Sequence, residues 1–170
     1  IKKSIDKEDG YTYIYGPSGI GKSSLVSKIA KDYKEENVFD VFPIYCGLTT
    51  ESDASINIID AITSYLRKGL TEYEKDDTRS SLDEYKYVCQ KYDDSKDTKT
   101  VLIIIDAIDQ LSPDDYKNNL TFLPFKLHKK IRVLLSGVEA DENEIKKNYP
   151  KLNKQQEYQK FHFLEIGGIS

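Results

Sequence analysis

An α/β fold, a parallel sheet with helices on both faces, is the expectation for this sequence, and three observations carry it. Short β-rich or continuously apolar runs alternate along the chain with stretches of helical periodicity. One of those runs, "VLIII" at 101–105, has no polar face, which marks a strand covered on both sides. A glycine-rich turn, "GPSGIG" at 16–21, stands between the first run and the first helical stretch.

The elements follow in order. "YTYIY" at 11–15 alternates and is β-rich, a strand. From Lys22 to about Tyr33, Leu25, Val26, Ile29, Ala30 and Tyr33 recur at helical spacing. "VFDVFPIYC" at 38–46 is a second strand, and Pro43 places it near an edge or a bend. Ile58, Ile59, Ile62, Tyr65 and Leu66 mark a helix over 55–68. The stretch 71–99 is charged and poor in aliphatics, yet Leu82, Tyr85, Val88, Cys89 and Tyr92 form one helical stripe within it.

"TVLIIID" at 100–106 is the buried central strand. "SPDD" at 112–115 reads as a helix start, with Ser112 as cap, Pro113 at the first position and Asp115 reaching back. "IRVLLS" at 131–136 is a further buried strand, 141–149 a short helix, and "FHFLEI" at 161–166 the last strand. No internal repeat and no low-complexity tract interrupts this pattern.

Composition narrows the function classes. The chain has 170 residues, one domain's worth. Its 29 acidic and 25 basic residues leave a net charge of −4, which argues against a general nucleic-acid or membrane surface. No run approaches the roughly 18 apolar residues of a membrane span. The N-terminal "IKKSIDKEDG" lacks the apolar core of a signal peptide. Cys46 and Cys89 lie far apart without metal-ligand spacing and read as free thiols of a reducing compartment, hence an intracellular, cytoplasmic protein. With no Met anywhere in the sequence, residues 1–170 are expected to be a piece of a longer protein.

The glycine-rich turn carries the chemistry. Gly16, Gly21, Lys22 and Ser23 fit G-x-x-x-x-G-K-[ST], set after a strand and opening a helix. Glycines let the backbone curl so that successive N–H groups point at an anion. The helix N-terminus adds unsatisfied donors and the positive end of its dipole. Gly16, Pro17, Ser18, Gly19, Ile20, Gly21, Lys22, Ser23 and Ser24 are the expected nucleotide-binding residues. Lys22 would serve the β- and γ-phosphates and Ser23 would ligate Mg²⁺. The bland alternative is a glycine turn that only caps a helix.

Such a loop needs an acidic residue at the end of a buried strand to hold the metal. Asp106 follows five apolar residues and would emerge at the carboxyl edge of the sheet, where α/β proteins bind ligands. Asp109, three residues on, could face the same crevice; an ordinary loop aspartate is its alternative. A guanine-specific loop would carry Asn-Lys-x-Asp after a later strand. "NKQQ" at 153–156 lacks the Asp, so the expected ligand is ATP or ADP with Mg²⁺.

"GPSGIGKSSLV", "IIIDAIDQL" and "FLPFKLHKKIRVLLS" together resemble the NTPase core of the STAND class, relatives of NACHT and AAA+ domains. The branch most similar is the one found in telomerase-associated and nephrocystin-type proteins, and "FPIYCGLTTESDASINIIDAI" at 42–62 is also similar to it. The resemblance implies a P-loop NTPase three-layer sandwich with a five-stranded parallel sheet in the order 5-1-4-3-2. The strand of Ser136 would lie between the loop strand and the Asp106 strand.

It also implies a switch in which nucleotide state controls oligomerisation or protein partners, through winged-helix and sensor regions outside residues 1–170. Ser136 would be the polar residue near the γ-phosphate, with a strand-end cap as its alternative. The sequence departs from the relatives that follow the metal-binding Asp directly with Glu, since Ala107 stands there. Asp109 would then orient the attacking water, in slow hydrolysis. Two rivals remain: a small-molecule kinase, which would need a basic lid, and a scaffold that keeps nucleotide only for stability.

Overall fold

The computed structural model describes residues 1–7, 11–48, 54–111, 123, 128–138 and 161–167. Its sheet has five parallel strands: β1 (Tyr11–Tyr15), β2 (Asp40–Tyr45), β3 (Val101–Asp106), β4 (Ile131–Gly137) and β5 (Phe161–Glu165). They lie side by side in the order β2-β3-β4-β1-β5. This is the expected order 5-1-4-3-2 read from the other edge. The strand of Ser136 is therefore inserted between the loop strand and the Asp106 strand, with Ile14 opposite Ser136 and Ile105 opposite Leu135.

The central strand explains why its sequence has no polar face. In β3, Val101, Ile103 and Ile105 enter one apolar cluster, while Leu102 and Ile104 enter the other. The first cluster is completed by α3 (Ser55–Lys68) and α4 (Ser81–Asp94), through Ile58, Ile62, Leu66, Tyr85 and Val88. The second is completed by α2 (Lys22–Glu36) through Val26, Ile29 and Tyr33, and by Ile5 of a short N-terminal helix, α1 (Lys2–Ile5). Fully burying a side chain of this size stabilises by about 1.5–3 kcal/mol relative to exposure, so the two clusters clamp the sheet from both sides.

The edges behave as their sequences require. Among the described residues β2 pairs only with β3, and Pro43, which has no N–H to donate, sits on that edge strand opposite Ile104. The expected strand at 38–46 is trimmed to 40–45, and the helix expected to end near Tyr33 continues to Glu36. Its stop is Asn37, which takes the left-handed conformation at φ 53° that asparagine tolerates and returns its N–H to the Lys34 carbonyl. α1 was not anticipated from the sequence. Its anchor is Ile5 together with a hydrogen bond from the Tyr33 hydroxyl to Asp6 at 2.8 Å.

The helical stripe in the charged region is α4. Ser80 caps it by accepting from the Asp83 N–H at 3.2 Å. Both cysteines are buried, and burial pushes the Cys89 thiol up to about 12, which leaves it an unreactive core residue. The helix start expected at 112–115 and the short helix expected at 141–149 lie outside the described residues. No helix among the described residues is long and apolar enough to cross a membrane.

Candidate functional site

β1 ends at Tyr15, and the chain turns at once into the glycine-rich loop. The turn needs glycine at its first position, because a Cβ on Gly16 would stand 2.7 Å from the backbone oxygen of Ile166, whose own N–H is bonded to the Tyr15 carbonyl. At the last position Gly21 has φ 98°, a left-handed conformation that side chains resist, and it is the residue from which α2 starts. No side chain among the described residues caps that start. The first intrahelical bond runs from the Leu25 N–H to the Gly21 carbonyl. The N–H groups of Lys22, Ser23 and Ser24 thus have no carbonyl within the helix, the open condition in which a helix end receives an anion.

Lys22 is buried, and its ammonium donates to the carbonyls of Gly16 at 2.8 Å and Pro17 at 2.9 Å. Its charge is held inside the curl of the loop, so the loop and its cation form one unit.

Asp106 arrives from the other direction. It is the last residue of β3 and is buried, with its carboxylate accepting a short hydrogen bond from the Ser136 hydroxyl at the end of β4. The Ser136 oxygen in turn accepts the Ala107 N–H at 2.9 Å. Ala107 itself lies in the left-handed region at φ 59°, uncommon for a residue with a side chain. That single reversal starts a 3₁₀ turn, Ile108–Gln110, which carries Asp109. One Asp109 oxygen accepts from the Gln110 side-chain amide at 2.8 Å. The other is buried and has no hydrogen-bond partner among the described residues.

Loop and turn share one cavity of about 340 Å³. Lys22, Ser23 and Ser24 of α2 line it, with Ser18, Gly19 and Gly21 of the loop. Asp106, Ala107, Asp109 and Gln110 line it from the β3 end, and Ser136 and Val138 from the β4 end. Of the residues expected at the nucleotide, Gly16, Pro17 and Ile20 are not among those lining the cavity. Gly16 and Pro17 act one step back, through the carbonyls that hold Lys22. Asp109 lines the same cavity as Lys22 and Asp106, and Ser136 is both a strand-end cap and part of the cavity wall.

The local roles of two residues are not readable from their types. Ala107 is not a residue type that announces a left-handed turn. Gln110 showed no signal of its pairing with Asp109, a contact that uses the amide otherwise open to a water. The three arginines are occupied elsewhere. Arg67 and Arg79 lie 4.0 Å and 3.1 Å from Glu84, and Arg132 donates to the carbonyls of His128 and Lys129. None of them is among the residues lining the cavity.

Chemically, the arrangement offers backbone donors and one buried ammonium to an anion. It also offers hydroxyl and carboxylate oxygens, from Ser23 and Asp106, suited to a hard divalent cation.

Comparison with solved structures places the fold. Cdc6p from Pyrobaculum aerophilum is similar at 13% identity and a TM-score of 0.58, covering 96% of this chain and 41% of its own. The Aeropyrum pernix ORC1 protein, solved in complex with DNA, is similar at 12% identity and a TM-score of 0.56, over 95% of this chain and 40% of that one. The Aeropyrum pernix ORC2 protein in its ADP form gives 17% identity and a TM-score of 0.50, over 92% and 42%. The chain thus spans about two fifths of the length of these structures. No curated protein matches it in sequence. A family model described as an AAA domain matches residues 5–145, a span that contains the phosphate loop, the acidic strand end and Ser136. The chain therefore belongs to the AAA family of P-loop NTPases.

Proposed function

We propose that this domain is an ATP-binding regulatory switch of the STAND type, with slow Mg²⁺-dependent hydrolysis, and that its nucleotide state controls self-association or the binding of protein partners. The observation that carries the reading is the cavity itself: an uncapped helix start, the buried Lys22 ammonium and two carboxylates all converge on it. Backbone N–H groups of 19–24 and Lys22 hold the phosphates. Ser23 and Asp106 would hold Mg²⁺, the latter through water. Bound there, the ion would neutralise charge on the β- and γ-phosphate oxygens. Ser136 fixes the Asp106 carboxylate and would be the polar residue near the γ-phosphate. The Asp109 carboxylate, on the cavity wall, would orient the attacking water. Residues 1–170 form the NTPase core of a longer intracellular protein whose further domains read the switch.

Hydrolysis is slow on this reading because the Asp106 carboxylate is already engaged by Ser136, and Ala107, the residue after it, carries no carboxylate. The same observation favours a second reading, a scaffold that keeps nucleotide for stability alone. The kinase reading loses support, since Arg79, the one arginine of the lid-sized stretch 71–99, is paired with Glu84. One structural neighbour was solved with DNA, but the net charge of −4 does not favour a nucleic-acid partner here.

The test is calorimetric. The wild-type chain should bind ATP more tightly with Mg²⁺ than without, and Lys22→Ala should weaken binding by about a hundredfold or more, since charge-assisted contacts to phosphate are the strong ones. Equal affinity in wild type and Lys22→Ala would remove the assignment.

A further inference from the structure

We propose that Gln110 is a positioning residue, seated on Gly47, which aims the Asp109 carboxylate into the cavity. The proposal rests on the reading of that cavity as an ATP site. Two oxygens of one carboxylate stand in contrasting conditions. One receives the Gln110 amide at 2.8 Å, and the other is buried without a partner among the described residues. A buried acceptor left unpaired is costly, so something must hold it in place.

The contact between Gln110 and Asp109 is not what a helical turn supplies by itself, because successive residues on a turn do not face each other. An external brace is present. A Cβ built on Gly47 would lie 2.9 Å from the Gln110 Cβ and 3.2 Å from its Cγ, so the stem of Gln110 occupies the space that a side chain at 47 would need. Gly47 can offer that space because it has no side chain and sits at φ 77°. The ground beneath it is firm. Tyr45 pairs with Asp106 in the sheet, and the Cys46 N–H donates to the Asp106 carbonyl at 3.0 Å.

The end of β2, the end of β3 and the 3₁₀ turn therefore form one unit. Within it the Gln110 amide has a restricted position and Asp109 a restricted direction. A group that orients a water must be held in a narrow range of angle and distance, which is what such a brace provides. Gln110 touches neither nucleotide nor water in this account. It acts through Asp109.

The experiment compares wild type with Gln110→Ala, Gln110→Glu, Gly47→Ala and Asp109→Asn. It reads three quantities: the ATP–Mg²⁺ dissociation constant, steady-state kcat and KM, and the ¹⁵N resonance of the Gln110 side-chain amide. Gln110→Ala should lower kcat about tenfold and leave the dissociation constant within about twofold, the pattern of a group that matters only in the transition state. Gln110→Glu should do the same. In Gly47→Ala and in Asp109→Asn the Gln110 amide resonance should shift towards that of a solvent-exposed glutamine.

Wild-type kcat in Gln110→Ala, or an amide resonance unmoved by Asp109→Asn, overturns the proposal while ATP binding stands. If turnover is too slow to measure, the amide resonance alone decides. A wild-type chain that binds no ATP overturns the cavity reading and this inference with it.

Discussion

Lys22 and Asp109 line the same cavity, but the backbones that present them are shaped in different ways. The phosphate loop is self-contained. Its cation is held by carbonyls five and six residues back, and its reversal into α2 rests on a glycine within the same run. The acidic turn is assembled from distant parts of the chain. Ser136, thirty residues on from Asp106, bonds both its carboxylate and the next N–H. Gly47, at the end of β2, makes room for Gln110. A loop of the first kind carries its geometry wherever a strand and helix flank it. A turn of the second kind has its geometry only when three strands are in register, so changes at the ends of β2 and β4 act on it from outside.

The largest expected effect tests that dependence directly. Ser136→Ala leaves the buried Asp106 carboxylate and the Ala107 N–H each without a partner. Loss of hydrogen bonds to buried groups, one of them charged, should cost about 3 kcal/mol. For a domain of this size that lowers Tm by roughly 10 °C. Ser18→Ala, an exposed change in the loop, should alter stability by less than about 0.5 kcal/mol. Calorimetric or fluorescence melting of the two variants checks the pair. Equal melting temperatures would mean that the turn is as self-sufficient as the loop.

The next effect separates what the two regions do. On the proposed reading the loop binds and the turn acts. Asp109→Asn should lower turnover more than about tenfold, worth at least about 1.4 kcal/mol in the transition state. ATP affinity should change by less than about twofold, whereas Lys22→Ala loses the affinity itself. Parallel calorimetry and steady-state rates in the full-length protein decide it. If Asp109→Asn weakens binding as much as Lys22→Ala, the division of labour fails. Unchanged turnover would remove the role of Asp109 and favour the scaffold.

The same difference governs how much of the molecule could be read in advance. The phosphate loop was legible because its cause is local: Gly16, Gly21 and Lys22 fix shape and charge within a few residues of each other. The strands were legible because a sheet buried on both faces writes continuous apolar runs such as "VLIII". The position of the Ser136 strand came from resemblance to a family, and the sheet order bears it out. The fine structure of the acidic turn was not legible. The conformation of Ala107 is imposed by Ser136, and the seat of Gln110 by Gly47. No periodicity or turn propensity in "DAIDQL" contains either partner. α1 escaped for a related reason: four residues are too short to show a period, and its hold is the tertiary contact of Ile5.

The smallest expected effect turns on one backbone conformation that both regions use. Gly21 at φ 98° and Ala107 at φ 59° both lie at positive φ, the first with no side chain and the second with a methyl group. A left-handed residue with a Cβ carries roughly 1–2 kcal/mol of strain. Replacing Ala107 by Gly removes that strain but gives the unfolded chain more freedom, which takes back about 0.4–1 kcal/mol. The net expectation is a gain of about 0.5 kcal/mol, a rise in Tm of roughly 1–2 °C. Gly21→Ala introduces the same strain without relief and should lose about 1 kcal/mol or more. The two substitutions are mirror images, so their melting temperatures should move in opposite directions. If Ala107→Gly instead destabilises by about 1 kcal/mol, the methyl group contributes packing at the cavity wall that outweighs its strain. The acidic turn would then be held by its own residue 107 as well as by Ser136 and Gly47, and the contrast between the two regions would narrow accordingly.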